Sequence, residues 1–234
     1  TSYYDDLFLL RSGVITRNDY LGLLAKTISG VASTPGRRKQ SVAESSFDAW
    51  TRYYKQDENS PNAIVSYYTK GALVALGLDL TLRAQTHGRR SLDDVMRMLW
   101  QRYGRDFYRG KPKGVPDNAL PELILEATGV NARRFITRYV EGTADLPLPQ
   151  LLAAHGITME WKPSADICTM NVRVRKQGDS LILATVFEGG AAHQAGLSAG
   201  DVLVAVDGLR VDAATGLKPL LGRYRPGERV RVHV

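Results

Sequence analysis

The chain has 234 residues, 44% hydrophobic and 24% charged, with a formal net charge of +7. That length and composition suit two modest globular domains and exclude a low-complexity or fibrous chain. One cysteine, Cys168, excludes an intramolecular disulfide, and no Cys/His cluster has zinc-finger spacing, so the redox compartment stays open.

The longest apolar run, Ala72 to Leu82, is interrupted by Asp79 and is too short to span a bilayer, so no membrane span is expected. The opening Thr1-Ser2-Tyr3-Tyr4-Asp5-Asp6 lacks the basic and hydrophobic regions of a signal peptide, as a chain starting inside a longer protein would. Between Arg83 and Lys113, nine Lys/Arg stand against three Asp. Clustered cations can neutralise phosphates and release counterions. Here they are spread over a helix and two loops without a nucleic-acid-binding motif, so they read as a solvated basic face and no nucleic-acid partner is expected.

Up to Gly156 the chain is punctuated like a set of helices. Thr16-x-x-Asp19, Ser41-x-x-Glu44 and Ser91-x-x-Asp94 have the pattern of capping boxes, in which side chains satisfy the free amides of a first helical turn. Gly13, Gly104, Gly129 and Gly142 stand where helices can stop. Val95, Met98 and Leu99, then Ile136 and Val140, recur at helical spacing. From Asn62 to Arg83 the pattern is apolar nearly all round, with Ile64, Val65, Leu73, Leu76, Leu78 and Leu80, which predicts one central buried helix.

The texture changes after Gly156. Trp161 to Asp166 reads as a joint, with Pro163 and small polar residues. Beyond it the chain alternates with period two at Met170, Val172 and Val174, at Leu181 and Leu183, and at Val202, Val204 and Val206. Gly189-Gly190, Gly196, Gly200, Asp207-Gly208 and Pro226-Gly227 supply turns. A short helix is predicted from about Leu217 to Tyr224, with Pro219 tolerated in its first turn. The expected fold class is therefore multi-domain α + β: an all-α helical lobe over residues 1–156, then a small β-rich domain over 160–234. Val230 to Val234 ends within an apparent strand, as expected if this domain is truncated.

The run from Gly189 to Gly208, Gly-Gly-Ala-Ala-His-Gln-Ala-Gly-Leu-Ser-Ala-Gly-Asp-Val-Leu-Val-Ala-Val-Asp-Gly, resembles the PDZ domains of bacterial HtrA-type proteases and related peptidases. Its small residues suit a tightly packed short helix and turn, and Asp207-Gly208 suits a hairpin. The resemblance implies peptide binding by β-augmentation, in which an extended peptide joins an exposed strand edge beside a helix. The edge strand is expected over Met170 to Arg175, with Met170, Asn171, Val172 and Val174 meeting the peptide, and Val172 facing Leu217 and Leu221 across the groove. Each of these apolar residues also suits the domain's own core. Where PDZ domains usually hold a terminal carboxylate in a glycine-containing loop, this chain has Thr169-Met170-Asn171.

In the helical part, Thr1-Ser2-Tyr3-Tyr4-Asp5-Asp6-Leu7, the run Ser41 to Trp50, Asp57-Glu58-Asn59-Ser60-Pro61-Asn62 and Tyr67-Tyr68-Thr69-Lys70-Gly71-Ala72-Leu73 together resemble the glycyl aminopeptidase family of zinc metallopeptidases, whose members end in a PDZ domain. The resemblance covers essentially the whole chain. It implies that the helical lobe is the C-terminal part of a thermolysin- or aminopeptidase-like catalytic domain, and it explains why helices come first and the PDZ domain last.

Such peptidases hold zinc with two histidines of an H-E-x-x-H helix and a glutamate on a following helix. The motif is absent: His87, His155, His193 and His233 are scattered. The family's third ligand would fall just upstream of Thr1. Zinc is thus implied for the intact parent protein and none for this fragment, which is expected to be inactive alone.

Tyr68 is the catalytic residue the resemblance carries over. Tyr68-x-Lys70-Gly71 is similar to the Tyr-x-Lys-Gly of the wider zinc aminopeptidases, whose tyrosine hydroxyl donates to the tetrahedral intermediate. Without it, Tyr67 and Tyr68 read as helix-packing aromatics. Asp5, Asp6, Glu44, Asp48, Asp57 and Glu58 read as caps or solvated charge, since no calcium-loop order is present. The Asp57 to Asn62 loop is expected to border the parent's substrate cleft.

Two readings follow. One is the C-terminal portion of a bacterial zinc aminopeptidase, its partners being peptide substrates or peptide ligands of the PDZ groove. The alternative is a non-catalytic PDZ adaptor, which a native start codon immediately before Thr1 would favour.

Overall fold

The computed structural model describes residues 1–110, 112–162 and 168–234, so the expected joint from Pro163 onward lies outside the described residues. In chain order the helices are α1 (Ser2–Arg11), α2 (Arg17–Ala32), α3 (Val42–Phe47), α4 (Ser60–Ala63), α5 (Thr69–Gln85), α6 (Leu92–Leu99), α7 (Leu120–Thr128), α8 (Arg133–Ile136) and α9 (Leu148–Ala153). Two further short helices, α10 (Ala191–Gln194) and α11 (Leu217–Leu221), lie among six strands. These are β1 (Val172–Gln177), β2 (Ser180–Val186), β3 (Val202–Leu203), β4 (Ala205–Val206), β5 (Leu209–Arg210) and β6 (Val232–His233). A helical lobe is thus followed by a small β-rich domain.

The chain forms two compact units. The first takes Thr1–Ser33, Arg37–Ala49 and Val65–Glu160. All three sequence-level capping boxes form: Thr16, Ser41 and Ser91 cap α2, α3 and α6 through Asp19, Glu44 and Asp94. Gly129 ends α7 at φ 74, a left-handed conformation that costs glycine nothing. Helix α5 is the hub and packs against α1, α2, α6 and α9. Its Leu73, Leu76, Leu78, Leu80 and Leu82 enter one core with Ile28, Val95, Ile124 and Leu152. Leu82 and Ile124 are both 0% exposed, and burying one such side chain contributes about 1.5–3 kcal/mol.

The single helix expected from Asn62 to Arg83 is two helices with an extended break between them. Ile64 is extended at φ −125, ψ 162. The backbone of Val65 is held by groups distant in sequence: its N–H donates to Gln40 Oε1 at 3.1 Å and its carbonyl accepts from the Ser45 hydroxyl at 2.5 Å. Those buried bonds take up the groups that a continuous helix would pair internally, so α5 begins only at Thr69.

The second unit takes Thr34–Gly36, Trp50–Ile64 and Trp161–Val234. It holds two antiparallel three-stranded sheets, ordered β1-β2-β3 and β5-β4-β6. Asp207 (φ 48) and Gly208 (φ 76) form the expected two-residue hairpin between β4 and β5. Around Leu181, Leu183, Leu203 and Val206 a second core forms, closed by Met170, Leu217, Leu220 and Leu221. Strand β1 starts at Val172, so Met170 and Asn171 precede the strand expected to contain them. Helix α11 is shorter than predicted, ending at Leu221 before Gly222. Gly36 lies against Ile64, and a Cβ there would sit 2.1 Å from the Ile64 carbonyl oxygen, so no side chain fits. Among the described residues, no helix is long and apolar enough to cross a membrane.

Candidate functional sites

Tyr68 occupies the N-cap position of α5, with helical φ −68 and ψ −60. Its carbonyl accepts from Ala72 N–H at 2.9 Å, so its backbone is locked to the first turn. The ring stacks on Tyr67, with centroids 4.2 Å apart and 29° between planes, and stays 40% exposed. Stacking on Tyr67 restricts the Tyr68 ring at the helix start while leaving it partly accessible to solvent. The extended Val65 segment, tied by Gln40 and Ser45, sets where that helix starts.

Lys70, two residues on, is 3% exposed. Its ammonium donates to the Arg37 carbonyl at 2.7 Å and to the Thr143 carbonyl at 3.5 Å. Burial holds its pKa below the ordinary lysine value, opposed by the nearby Asp145 charge. The lysine of Tyr68-x-Lys70-Gly71 therefore ties two chain segments to the base of α5. The sequence quotes this residue without disclosing the role, because both partners are carbonyls distant along the chain.

Asp57 behaves as a loop cap. Its Oδ1 accepts from Asn59 N–H at 3.1 Å and from the Ser60 hydroxyl at 2.8 Å, and the Ser60 bond chiefly lowers its pKa. Asn62, which the sequence offers only as the end of the Asp57 to Asn62 run, is buried in α4. Its amide nitrogen donates to the Val186 carbonyl at 2.8 Å, and its amide oxygen accepts from Glu188 N–H at 3.0 Å.

The family resemblance implies zinc, but among the described residues no three His, Cys, Asp or Glu side chains are placed to hold a metal ion. His87 lies in the turn after α5 and His155 in the turn after α9, while His193 is in α10 and His233 in β6.

The sequence-level peptide-binding residues divide between surface and core. Met170 (6% exposed), Leu217 (8%) and Leu221 (6%) are core residues, with Val172 packed at the margin of the same cluster. Val174 is 39% exposed. Asn171 takes φ 58, which asparagine tolerates, and its N–H is already satisfied by the Thr169 hydroxyl at 3.0 Å. Met170 and Leu221 meet in a cavity of about 570 Å³, also lined by Ala192, Leu197, Tyr224 and Val230. Val172, Val174 and Leu217 do not line it.

Strand β1 pairs only with β2, so it is a sheet edge among the described residues. Its free side can be identified from neighbouring bonds. Asn171 O accepts from Phe187 N–H, so Asn171 points toward β2. Leu183 spends both backbone groups away from β1, its N–H on Asp201 O and its carbonyl on Gly200 N–H. Its β1 partner Val174 therefore turns its own N–H and C=O outward, and alternation turns Val172 the same way. An extended peptide can pair with these groups.

Residues 1–74 match the family profile of M61 glycyl aminopeptidase, and residues 169–234 match that of the PDZ domain. Among solved structures, the chain is similar to an aminopeptidase N family protein from Idiomarina loihiensis, with 35% identity and a TM-score of 0.88. That likeness covers 99% of this chain and 41% of the other, so the chain spans about two fifths of the relative's length. No curated protein sequence matches the chain.

Proposed function

From a chain that joins an M61 glycyl aminopeptidase region to a PDZ domain, we infer that the intact protein is a bacterial zinc-dependent aminopeptidase removing N-terminal residues from peptides. The single observation carrying this reading is the likeness, over nearly the whole chain, to an aminopeptidase N family protein. In this proposal residues 1–156 are the C-terminal part of the catalytic region, and residues 160–234 are a PDZ module that binds peptides. In this reading the zinc ligands come from outside these residues, since the chain carries no H-E-x-x-H.

Within this chain Tyr68 donates its hydroxyl proton in a hydrogen bond to the oxyanion of the tetrahedral intermediate, while the Tyr67 ring beneath holds it in place. Val172 and Val174 offer backbone groups to a peptide strand. Met170, Leu217 and Leu221 shape the apolar wall behind them, and Asn171 sets the turn that leads into the edge.

The test is zinc content and aminopeptidase activity of this chain beside a longer polypeptide extended upstream through an H-E-x-x-H segment. Activity with one zinc per chain in the longer form alone supports the reading. Peptide binding with no activity in either form overturns it in favour of the PDZ adaptor.

A further inference from the structure

We propose that the β1 edge selects extended acidic peptides, with carboxylate side chains at alternate positions opposite Arg173 and Arg175. The inference rests on the reading of β1 as the peptide-accepting edge.

Strand β1 reads Val-Arg-Val-Arg-Lys-Gln, and the register separates its two faces. Val172 and Val174 pair with Val186 and Leu183, which face the core, whereas Arg173 and Arg175 pair with Thr185 and Ile182 on the opposite face. The bulge between Arg173 and Val174 is absorbed by β2, so β1 alternates regularly. Arg173, Arg175 and Lys176 are all exposed.

Two of these cations are held in place without being neutralised. The Arg173 guanidinium lies 5.3 Å from the Phe187 ring centroid, and Arg175 donates to the neutral Gln177 side chain at 2.7 Å. Among the described residues no carboxylate pairs with Arg173, Arg175 or Lys176. A peptide strand paired to Val172 and Val174 places its intervening side chains directly across from Arg173 and Arg175. Opposite charges in such cross-strand positions attract, and like charges repel. Charge complementarity therefore favours an acidic extended peptide over a neutral or basic one.

The probes are three fluorescently labelled, C-terminally amidated peptides of one β-prone background, with Glu, Gln or Lys at two alternate positions. Binding to the 234-residue chain is read by fluorescence polarisation at low salt. The Glu peptide is expected to bind about tenfold tighter than the Gln peptide and the Lys peptide more weakly still, differences that shrink with added salt. R173Q/R175Q should abolish the preference. V174P, which removes an outward N–H, should weaken all three.

Equal binding of the three peptides overturns the acidic selectivity and leaves the edge reading standing. No binding by any peptide overturns both. Tighter binding of an oligothymidylate than of the Glu peptide, lost in R173Q/R175Q, reassigns the edge to nucleic acid and overturns the proposal.

Discussion

Asn62 and Val186 are 124 positions apart and joined by a buried hydrogen bond, Nδ2 to carbonyl oxygen at 2.8 Å. Together with the bond from Glu188 N–H to Asn62 Oδ1 at 3.0 Å, it holds the end of β2 against the segment that includes α4. The orientation of the amide is unambiguous, since a carbonyl can only accept and an N–H can only donate.

Asn62→Ala leaves both backbone groups without this partner and should destabilise the fold by about 1–3 kcal/mol, read by chemical denaturation. Asn62→Asp keeps the acceptor for Glu188 N–H but sets an oxygen against the Val186 carbonyl. It should therefore be no better than Ala.

Asp79 organises the helical lobe in the same way. At 4% exposure in the middle of α5, it accepts from the Tyr3 hydroxyl at 2.7 Å, from Arg83 Nε at 2.9 Å and from Leu92 N–H at 2.7 Å. Burial first, then the Asp79 charge and hydrogen bond, raise the Tyr3 pKa well above the ordinary phenol range, so Tyr3 stays a donor. Asp79→Ala should cost about 3–5 kcal/mol, because it strands a buried hydroxyl, the first amide of α6 and a partly buried guanidinium. Combined with Tyr3→Phe, the loss should be less than the sum, since the two share one bond.

The acid limb of stability should depend on Asp93. Burial pushes its carboxyl up, but hydrogen bonds from Arg11 and Tyr4 outweigh that and hold it below the ordinary 3.8. A carboxylate with a lowered folded pKa adds stability above the unfolded value, and that stability is lost as pH falls through the folded value. Asp93→Asn should therefore be less stable than the parent at neutral pH, by about 1 kcal/mol for this partly exposed pair. The gap should close as pH falls below 3.8.

Tyr68 and Lys70 should separate chemistry from structure within one motif. In the intact enzyme, Tyr68→Phe should lower kcat by about a hundredfold, near 3 kcal/mol, with KM and thermal stability little changed. An unchanged kcat removes Tyr68 from the mechanism. Lys70→Met should instead lower stability by about 1–3 kcal/mol, because the Arg37 and Thr143 carbonyls lose a buried cationic donor.

Legibility in the sequence followed the range of the interactions. The capping boxes at Thr16, Ser41 and Ser91 and the Asp207-Gly208 hairpin join residues at most three apart, so their chemistry stands in the letters themselves. The start of α5 was misjudged because Ile64 and Val65 carry an apolar pattern that a helix also accepts. What ends the helix there is a pair of side-chain bonds from Gln40 and Ser45, 25 and 20 positions away.

The sequence by itself determined that helices precede a β-rich domain, that three of them begin in capping boxes, and which residues resemble the two families. These follow from local propensity, periodicity and short motifs. Only the tertiary structure decided that Lys70 and Asp79 are buried with partners, that Asn62 holds the end of β2, and that β1 turns the backbone groups of Val172 and Val174 to its free edge while Arg173 and Arg175 stand on the face opposite the core. Burial and hydrogen-bond partnership are properties of atoms brought together from distant parts of the chain, and strand orientation is set by which neighbour takes the backbone bonds.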